Sequence, residues 1–164
     1  IISSVLVFLF VIIMQVGTFI HDHKYFEVRR NYGKPPVYAL LSRKLKEVTH
    51  PDDLIVTNLD TWGSWYGERS TVWFPLKPDQ LIPAKGEENP FDAIYLTSYL
   101  IDDENYYMGS EWRQIFENPD DIVNEFILEN YEFIGEYKFS AAEVYEKYDA
   151  RAILLTKKQS TRSK

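Results

Sequence analysis

The sequence predicts a small three-layer α/β domain whose mostly parallel sheet has an antiparallel end, preceded by one transmembrane helix. Three observations predict this fold class. Short apolar runs of strand length alternate with amphipathic segments of helix length, which favours a parallel sheet flanked by helices. Two more strand-like segments follow one another near the C-terminal end, which favours an antiparallel end. The first 20 residues contain no charged side chain.

The apolar segment "IISSVLVFLFVIIMQVGTFI" occupies residues 1–20. As a helix it would be roughly 30 Å long, the thickness of a bilayer hydrocarbon core. A signal peptide fits less well, because the segment has no initiator Met, no basic n-region and a longer apolar run. A buried helix of a soluble protein would normally carry a polar stripe. We therefore predict a transmembrane helix over residues 1–22, and expect the chain to be a fragment of a longer protein.

Charge is unevenly distributed along the chain, whose net charge is −7. Residues 21–50 contain seven Lys/Arg and three Asp/Glu, whereas residues 51–156 contain seven Lys/Arg and 22 Asp/Glu. Residues 23–34 therefore form a basic juxtamembrane collar, which suits anionic lipid headgroups. The acidic remainder repels nucleic acid, so nucleic acid is not an expected partner. The chain has no cysteine, which excludes disulfides and Cys-ligated zinc.

The soluble α/β domain is predicted over residues 35–157, followed by a disordered basic tail over 158–164. Its first helix follows Pro36 and stops before Pro51. Apolar residues at Val37, Leu40, Leu41, Leu45 and Val48 give this helix its stripe. Three strands are predicted within "DDLIVTN", "STVWFP" and "FDAIYLTS", with at most a short helix in "KPDQLIPA".

The second half of the domain is predicted to contain two helices and then two strands. Ser110 is expected to cap the helix "EWRQIF". A further helix is expected to open at Asn118-Pro119-Asp120 and to bury Ile122, Val123, Phe126 and Ile127. The terminal strands are "YEFIGEYKF" and "ARAILLTKK", joined by a hairpin connection or a short strand pair in "SAAEVYEKYD".

Motifs for the common chemistries are missing from the sequence. No Gly-rich phosphate loop and no G-x-S-x-G elbow follows any predicted strand. His21 and His23 would point to different faces of a continuing helix, and no third ligand is evident, so no metal site is expected. The acidic clusters at 51–53, 102–104 and 118–121 are typical of caps and solvated turns. We predict no catalytic residue and no cofactor within this chain.

The candidate ligand-binding residues are Asp60, Trp62, Trp65, Tyr66 and Arg69. They lie in "LDTWGSWYGER", directly after the first predicted strand, and ligands of open α/β sheets bind at the carboxyl ends of strands. Stacked aromatic rings beside a carboxylate, from Asp60 or Glu68, and an arginine suit a sugar or an anionic head group. The alternative is that Trp65 and Tyr66 pack a helix on the sheet while Arg69 pairs with a nearby acid.

The order of these segments resembles the C-terminal region of GT-C type membrane glycosyltransferases that use polyprenyl-phosphate sugars. These are the protein-O-mannosyltransferase and aminoarabinose-transferase relatives, whose "WY-x-x-R" and following Pro correspond to Trp65, Tyr66, Arg69 and Pro75. The resemblance covers residues 1 to about 100 and the final strand. It implies an extracytoplasmic domain, although the basic collar taken alone favours the cytoplasmic side.

The resemblance also implies that the family's catalytic acids lie upstream of this chain. The expected function is therefore an extracytoplasmic accessory domain of an integral-membrane glycosyltransferase-like protein. Expected partners are the lipid bilayer, the remaining transmembrane helices of the parent chain, and a lipid-linked sugar or glycan. A non-catalytic, membrane-anchored binding or scaffold module is the alternative, and a single-pass anchored enzyme that uses the acidic loops ranks below both.

Overall fold

The computed structural model describes residues 12–18, 33–99, 108–144 and 149–158, apart from the side chain of residue 60. The chain divides into two units, Ile1–Lys34 and Pro35–Lys164. In the first unit, residues 12–18 are helical, and Ile12, Ile13, Met14 and Val16 are exposed. Most of the span predicted over 1–22 lies outside the described residues. Among the residues that are described, no helix has both the length and the apolar character needed to cross a membrane.

The second unit is a mixed α/β domain, and its elements follow the predicted alternation. The helices are α1 (Val37–Val48), α2 (Asp60–Gly67), α3 (Ser110–Glu117) and α4 (Glu125–Asn130), with a short 3-10 helix at Pro78–Leu81. The strands are β1 (Leu54–Thr57), β2 (Ser70–Trp73), β3 (Ala93–Thr97), β4 (Tyr131–Phe139) and β5 (Ala150–Lys157). Proline sets both limits of α1, because Pro36 is its N-cap and the chain turns at Pro51.

The five strands form one sheet in the order β2-β1-β3-β5-β4. Strand β1 pairs in parallel with both β2 and β3, whereas β5 is antiparallel to both β3 and β4. This arrangement places the carboxyl ends of β1, β2 and β3 along one edge of the sheet. The segment that precedes α2 leaves the sheet at this edge.

Each face of the sheet carries its own apolar cluster, as alternation along a strand requires. On one face, Val56, Ile94 and Leu96 pack with Trp112 and Ile115 of α3. The opposite face packs against α1, whose members of the second cluster are Val37, Leu41 and Leu45. Helices therefore cover both faces of the sheet, and α2 lies with α1.

A β-bulge at Ile134 lets strand β4 serve both clusters. Phe133 pairs with Leu155, but Gly135 pairs with Leu154, so Ile134 has no partner on β5 and is 51% exposed. Phe133 packs on the cluster of one face, while Tyr137 packs on the cluster of the other. Because of the extra residue, side chains before and after the bulge point to opposite faces of the sheet. The bulge also interrupts a long edge strand that could otherwise pair with another chain.

Three details of the C-terminal half differ from the sequence-based predictions. The predicted helix from Asn118 begins only at Glu125, because Asn124 accepts a hydrogen bond from the Ile127 N–H through its side chain and acts as the N-cap. Ser110 is the first residue of α3 and does not cap it, since Gly109 holds the N-cap position. Lys158, predicted to begin the tail, hydrogen bonds through its N–H to the Asn130 carbonyl at 2.8 Å.

Candidate functional site

The predicted ligand-binding segment starts from a fixed junction between β1 and β3. Asn58, only 3% exposed, donates through Nδ2 to the carbonyls of Thr97 and Tyr99 at 2.8 and 2.9 Å. Its Oδ1 accepts from the Thr97 N–H at 2.9 Å and from the Thr97 hydroxyl at 3.0 Å. The amide is thus satisfied at both ends, and it ties the carboxyl ends of the two strands together where α2 begins.

Two glycines let α2 approach its neighbours closely. A Cβ at Gly67 would lie 2.9 Å from the backbone oxygen of Ser42 on α1, and one at Gly63 would lie 2.9 Å from Thr71 Cγ2 on β2. Their spacing of four places both on one side of the helix. The opposite side of α2 is thereby turned away from the domain.

An aromatic cluster joins α2 to α1 and to the end of β3. Tyr38 stacks on Trp62 with ring centroids 4.3 Å apart and an interplanar angle of 23°. Tyr66 and Tyr99 each lie 5.8 Å from the Tyr38 ring, centroid to centroid. All four side chains are half-buried. Trp62 and Tyr66 therefore act at least in part as packing residues, which the alternative interpretation of the sequence proposed for Tyr66 but not for Trp62.

Trp65 differs from these rings because its side chain is 77% exposed. It lies on the side of α2 opposite the glycines, between the exposed residues Ser64 and Glu68. An exposed indole offers a flat apolar face without any rearrangement of the domain. Of the sequence-predicted aromatic residues, Trp65 is the one that the fold leaves available to a ligand.

Arg69 binds the C-terminal end of α1 through its whole guanidinium group. Nη2 donates to the carbonyls of Lys46 at 2.5 Å and Thr49 at 2.9 Å, Nε donates to Thr49 Oγ1 at 3.0 Å, and Nη1 donates to the Glu68 carbonyl at 3.0 Å. Cations stabilise helix C-termini by satisfying the last carbonyl groups. This arrangement gives Arg69 a structural role, and its role in ligand binding stays a prediction.

Glu68 is the C-cap of α2 and has a left-handed backbone conformation with φ 49°. Its carboxylate forms an ion pair with Lys46 at 2.6 Å, and both side chains are exposed. The hydrogen bond from Lys46, aided by the charge of the same ammonium group, lowers the pKa of the Glu68 carboxyl. The carboxylate is therefore ionised at neutral pH, three positions after Trp65. Asp60, the other predicted carboxylate, is the first residue of α2.

Sequence reasoning missed Tyr38 and Tyr99 as members of this site. The first turn of α1 lies at the carboxyl edge of the sheet, because α1 runs back to the start of β1. Tyr99 follows β3 at the same edge. The sequence does show an aromatic residue in the first turn of α1 and another after β3. Only the strand order shows that these two residues lie at the same edge of the sheet.

A second depression, of about 500 Å³, lies between the 3-10 helix, α3 and the start of α4. Three acidic residues, three uncharged polar residues and one valine line it: Asp79, Glu111, Glu125, Ser110, Gln114, Asn124 and Val123. Asn124 Nδ2 already donates to Asp79 Oδ1 at 2.8 Å. Within the described ranges, no group of three or more His, Asp or Glu side chains is placed to hold a metal ion.

Comparison with known proteins adds no relative to this description. No protein family, no curated protein and no solved structure matches the chain. The function is therefore inferred from the geometry of the site.

Proposed function

We propose that this chain is the C-terminal extracytoplasmic accessory domain of an integral-membrane glycosyltransferase-like protein. The complete protein transfers a sugar from a polyprenyl-phosphate donor, and its catalytic residues lie upstream of residue 1. In this proposal residues 1–22 are the last transmembrane helix, residues 23–34 contact lipid headgroups, and the three-layer domain over 35–157 lies outside the cytoplasm.

The observation that carries the proposal is the exposed indole of Trp65, on the helix whose Trp62 and Tyr66 belong to an aromatic cluster. Trp62 stacks on Tyr38, and the glycines of α2 hold the helix against α1, so the helix is held in place. Rigid aromatic surfaces bind sugar rings at a low cost in conformational entropy. The exposed side chains of Ile12, Ile13, Met14 and Val16 support the membrane part of the proposal, because exposed apolar side chains on a helix suit a lipid environment.

Neither of the two carboxyl groups with a shifted pKa, those of Glu68 and Glu136, is suited to act as a general acid. The pKa of Glu68 is lowered by Lys46, and that of Glu136 is lowered mainly by a hydrogen bond from Lys138 and further by Arg151. A general acid that works near neutral pH requires a raised carboxyl pKa. Both shifts are in the opposite direction, and they come from the exposed Glu68–Lys46 pair and from the pairs of the half-buried Glu136 with Lys138 and Arg151.

Turnover by this chain alone tests the proposal. The 164-residue chain and the complete protein that contains it are each placed in lipid nanodiscs with a polyprenyl-phosphate sugar and a peptide or lipid acceptor. We expect transfer by the complete protein and none by the chain. Saturable transfer by the chain, or no transfer by the complete protein with any donor of this class, would refute the proposal.

A non-catalytic, membrane-anchored binding or scaffold module is the second candidate. Trp65 favours it, because an exposed indole can bind a ligand without any upstream chemistry. In that case the complete protein would bind glycans through this domain and transfer no sugar. The same assay therefore separates the two candidates.

A further inference from the structure

We infer that Trp65 and Glu68, on the outer side of α2, form a binding site for an uncharged sugar ring rather than for a phosphate group. The inference rests on the proposed function and specifies which part of a glycan or lipid-linked sugar this domain would contact. The indole would stack on the C–H face of the ring. The carboxylate would accept hydrogen bonds from two adjacent hydroxyl groups.

Both side chains are exposed, and the helix that carries them is held in place from its opposite side. Trp65 is 77% exposed, and α2 cannot rotate to bury it, because Gly63 and Gly67 are already in close contact on the opposite side. Glu68 is three positions further along, and its exposed carboxylate is held by Lys46 at 2.6 Å. An exposed apolar ring face three positions from an exposed hydrogen-bond acceptor matches the two surfaces of a sugar.

Glu68 has a backbone conformation that is unusual for a glutamate. Its φ of 49° is one that glycine adopts without penalty and that a glutamate adopts at a cost. The turn alone would favour Gly or Asn at this position, so it does not explain why the residue is a glutamate. Strained positions that carry an unexpected side chain concentrate at binding sites.

The cations around Glu68 are already bound to other groups, which favours an uncharged ligand. Lys46 and Arg69 are the cations whose charges act on the Glu68 carboxyl. Lys46 is paired with that carboxylate, and Arg69 is bound to the carbonyl groups of Lys46, Thr49 and Glu68. A phosphate would need an uncommitted cation here and would also be repelled by Glu68. A neutral ring has neither requirement.

The test measures binding of small probes to the full 164-residue chain in phosphocholine nanodiscs, which contain no sugar. Saturation-transfer NMR is recorded with the methyl glycosides of glucose, galactose and mannose, and separately with glucose 1-phosphate and inorganic phosphate. We expect signals from at least one neutral glycoside, concentrated on its ring C–H protons. Inorganic phosphate at equal concentration should not displace it.

Two variants locate the site, and a third is the matched control. Trp65→Ala and Glu68→Gln should each weaken glycoside binding about tenfold or more, the effect of losing about 1.4 kcal/mol. Leu76→Ala removes another side chain of equal exposure, 76%, and should leave binding unchanged. All three variants should keep the melting temperature of the parent chain, which shows that the fold is intact.

The inference is overturned if no neutral glycoside binds, if Trp65→Ala binds as well as the parent chain, or if phosphate competes for the site. Its failure is distinguishable from failure of the proposed function. Sugar transfer by the complete protein together with no glycoside binding here would remove only the inference. Trp65-dependent glycoside binding in a complete protein that transfers no sugar would remove only the transferase proposal.

Discussion

Replacing Arg69 with methionine separates the structural role of this residue from a role in ligand binding. Methionine keeps an unbranched apolar side chain but removes the guanidinium group that bonds to the C-terminal end of α1. Four hydrogen bonds are lost, to the carbonyls of Lys46, Thr49 and Glu68 and to the Thr49 hydroxyl. The carbonyl groups of the last turn of α1 would then depend on water.

The expected loss follows from the burial of these bonds. The two bonds to Thr49 are partly buried, at 2.9 and 3.0 Å, whereas those to Lys46 and Glu68 are exposed. Hydrogen bonds to charged groups contribute about 1.5–3 kcal/mol each when shielded, and exposed ones contribute little. Only the two partly buried hydrogen bonds are counted, each near the lower end of that energy range. We therefore expect the free energy of unfolding to fall by about 2–4 kcal/mol.

Urea unfolding monitored by circular dichroism measures this loss, and for a domain of this size it corresponds to a lower melting temperature by about 6–12 °C. Lys46→Met is the matched control. Its ammonium forms an exposed ion pair with Glu68, so its removal should cost less than about 1 kcal/mol. A loss below about 0.5 kcal/mol for Arg69→Met would contradict the structural role, since surface substitutions fall in that range.

Three further substitutions test the fold around the site. Gly67→Ala places a Cβ 2.9 Å from the Ser42 carbonyl oxygen and should cost about 1–3 kcal/mol in denaturant unfolding, whereas Gly33→Ala, with open space around it, should cost nothing measurable. Asn58→Ala leaves buried backbone groups unpaired; it should cost about 2–4 kcal/mol and speed amide hydrogen exchange at the ends of β1 and β3. Burial raises the pKa of Tyr95 well above 10, so its contribution to stability is complete below pH 10 and is lost as the pH rises further. Tyr95→Phe should therefore lessen the fall in unfolding free energy above pH 10, measured by urea unfolding at a series of pH values. An unchanged dependence of that free energy on pH would contradict this prediction.

Local signals were sufficient for most elements of the domain. Proline at both limits and a clear apolar stripe define α1, and Val37, Leu41 and Leu45 are fully buried as predicted. The first three strands, β1, β2 and β3, are short runs between turn residues, and each lies where it was predicted. These elements are determined by residues close in sequence, so one sequence is enough to find them.

The differences lie where distant residues decide the structure. The helix predicted from Asn118 begins only at Glu125, after the N-cap Asn124, and Gln114 of α3 donates a hydrogen bond to the Asp121 carbonyl in the intervening segment. The apolar periodicity that includes Val123 was therefore misleading, as that side chain is 73% exposed. Gly135, beside the bulge at Ile134, is a local sign of an irregular strand, but the sequence does not show which residue is left unpaired.

The ligand-binding role of the segment after β1 stays a prediction, but the structure shows contacts of its residues that the sequence could not reveal. The segment after β1 does contain an exposed indole, Trp65, beside a carboxylate. The sequence could not show that Arg69 caps α1, because its partner Thr49 is 20 positions away. Tyr38 and Tyr99 were missed for the same reason, as only the fold brings Tyr38 to Trp62 and Tyr99 to Tyr38.

Sugar transfer by the complete protein that contains this chain, measured with Trp65→Ala and Leu76→Ala side by side, tests the central claim most directly. The two side chains are equally exposed, at 77% and 76%, so neither substitution should disturb the fold. We predict that Trp65→Ala raises KM for the sugar-bearing substrate several-fold with kcat unchanged, because the domain binds and does not catalyse. Leu76→Ala should change neither constant. Identical kinetics for both variants, or no transfer by the complete protein, would contradict the account.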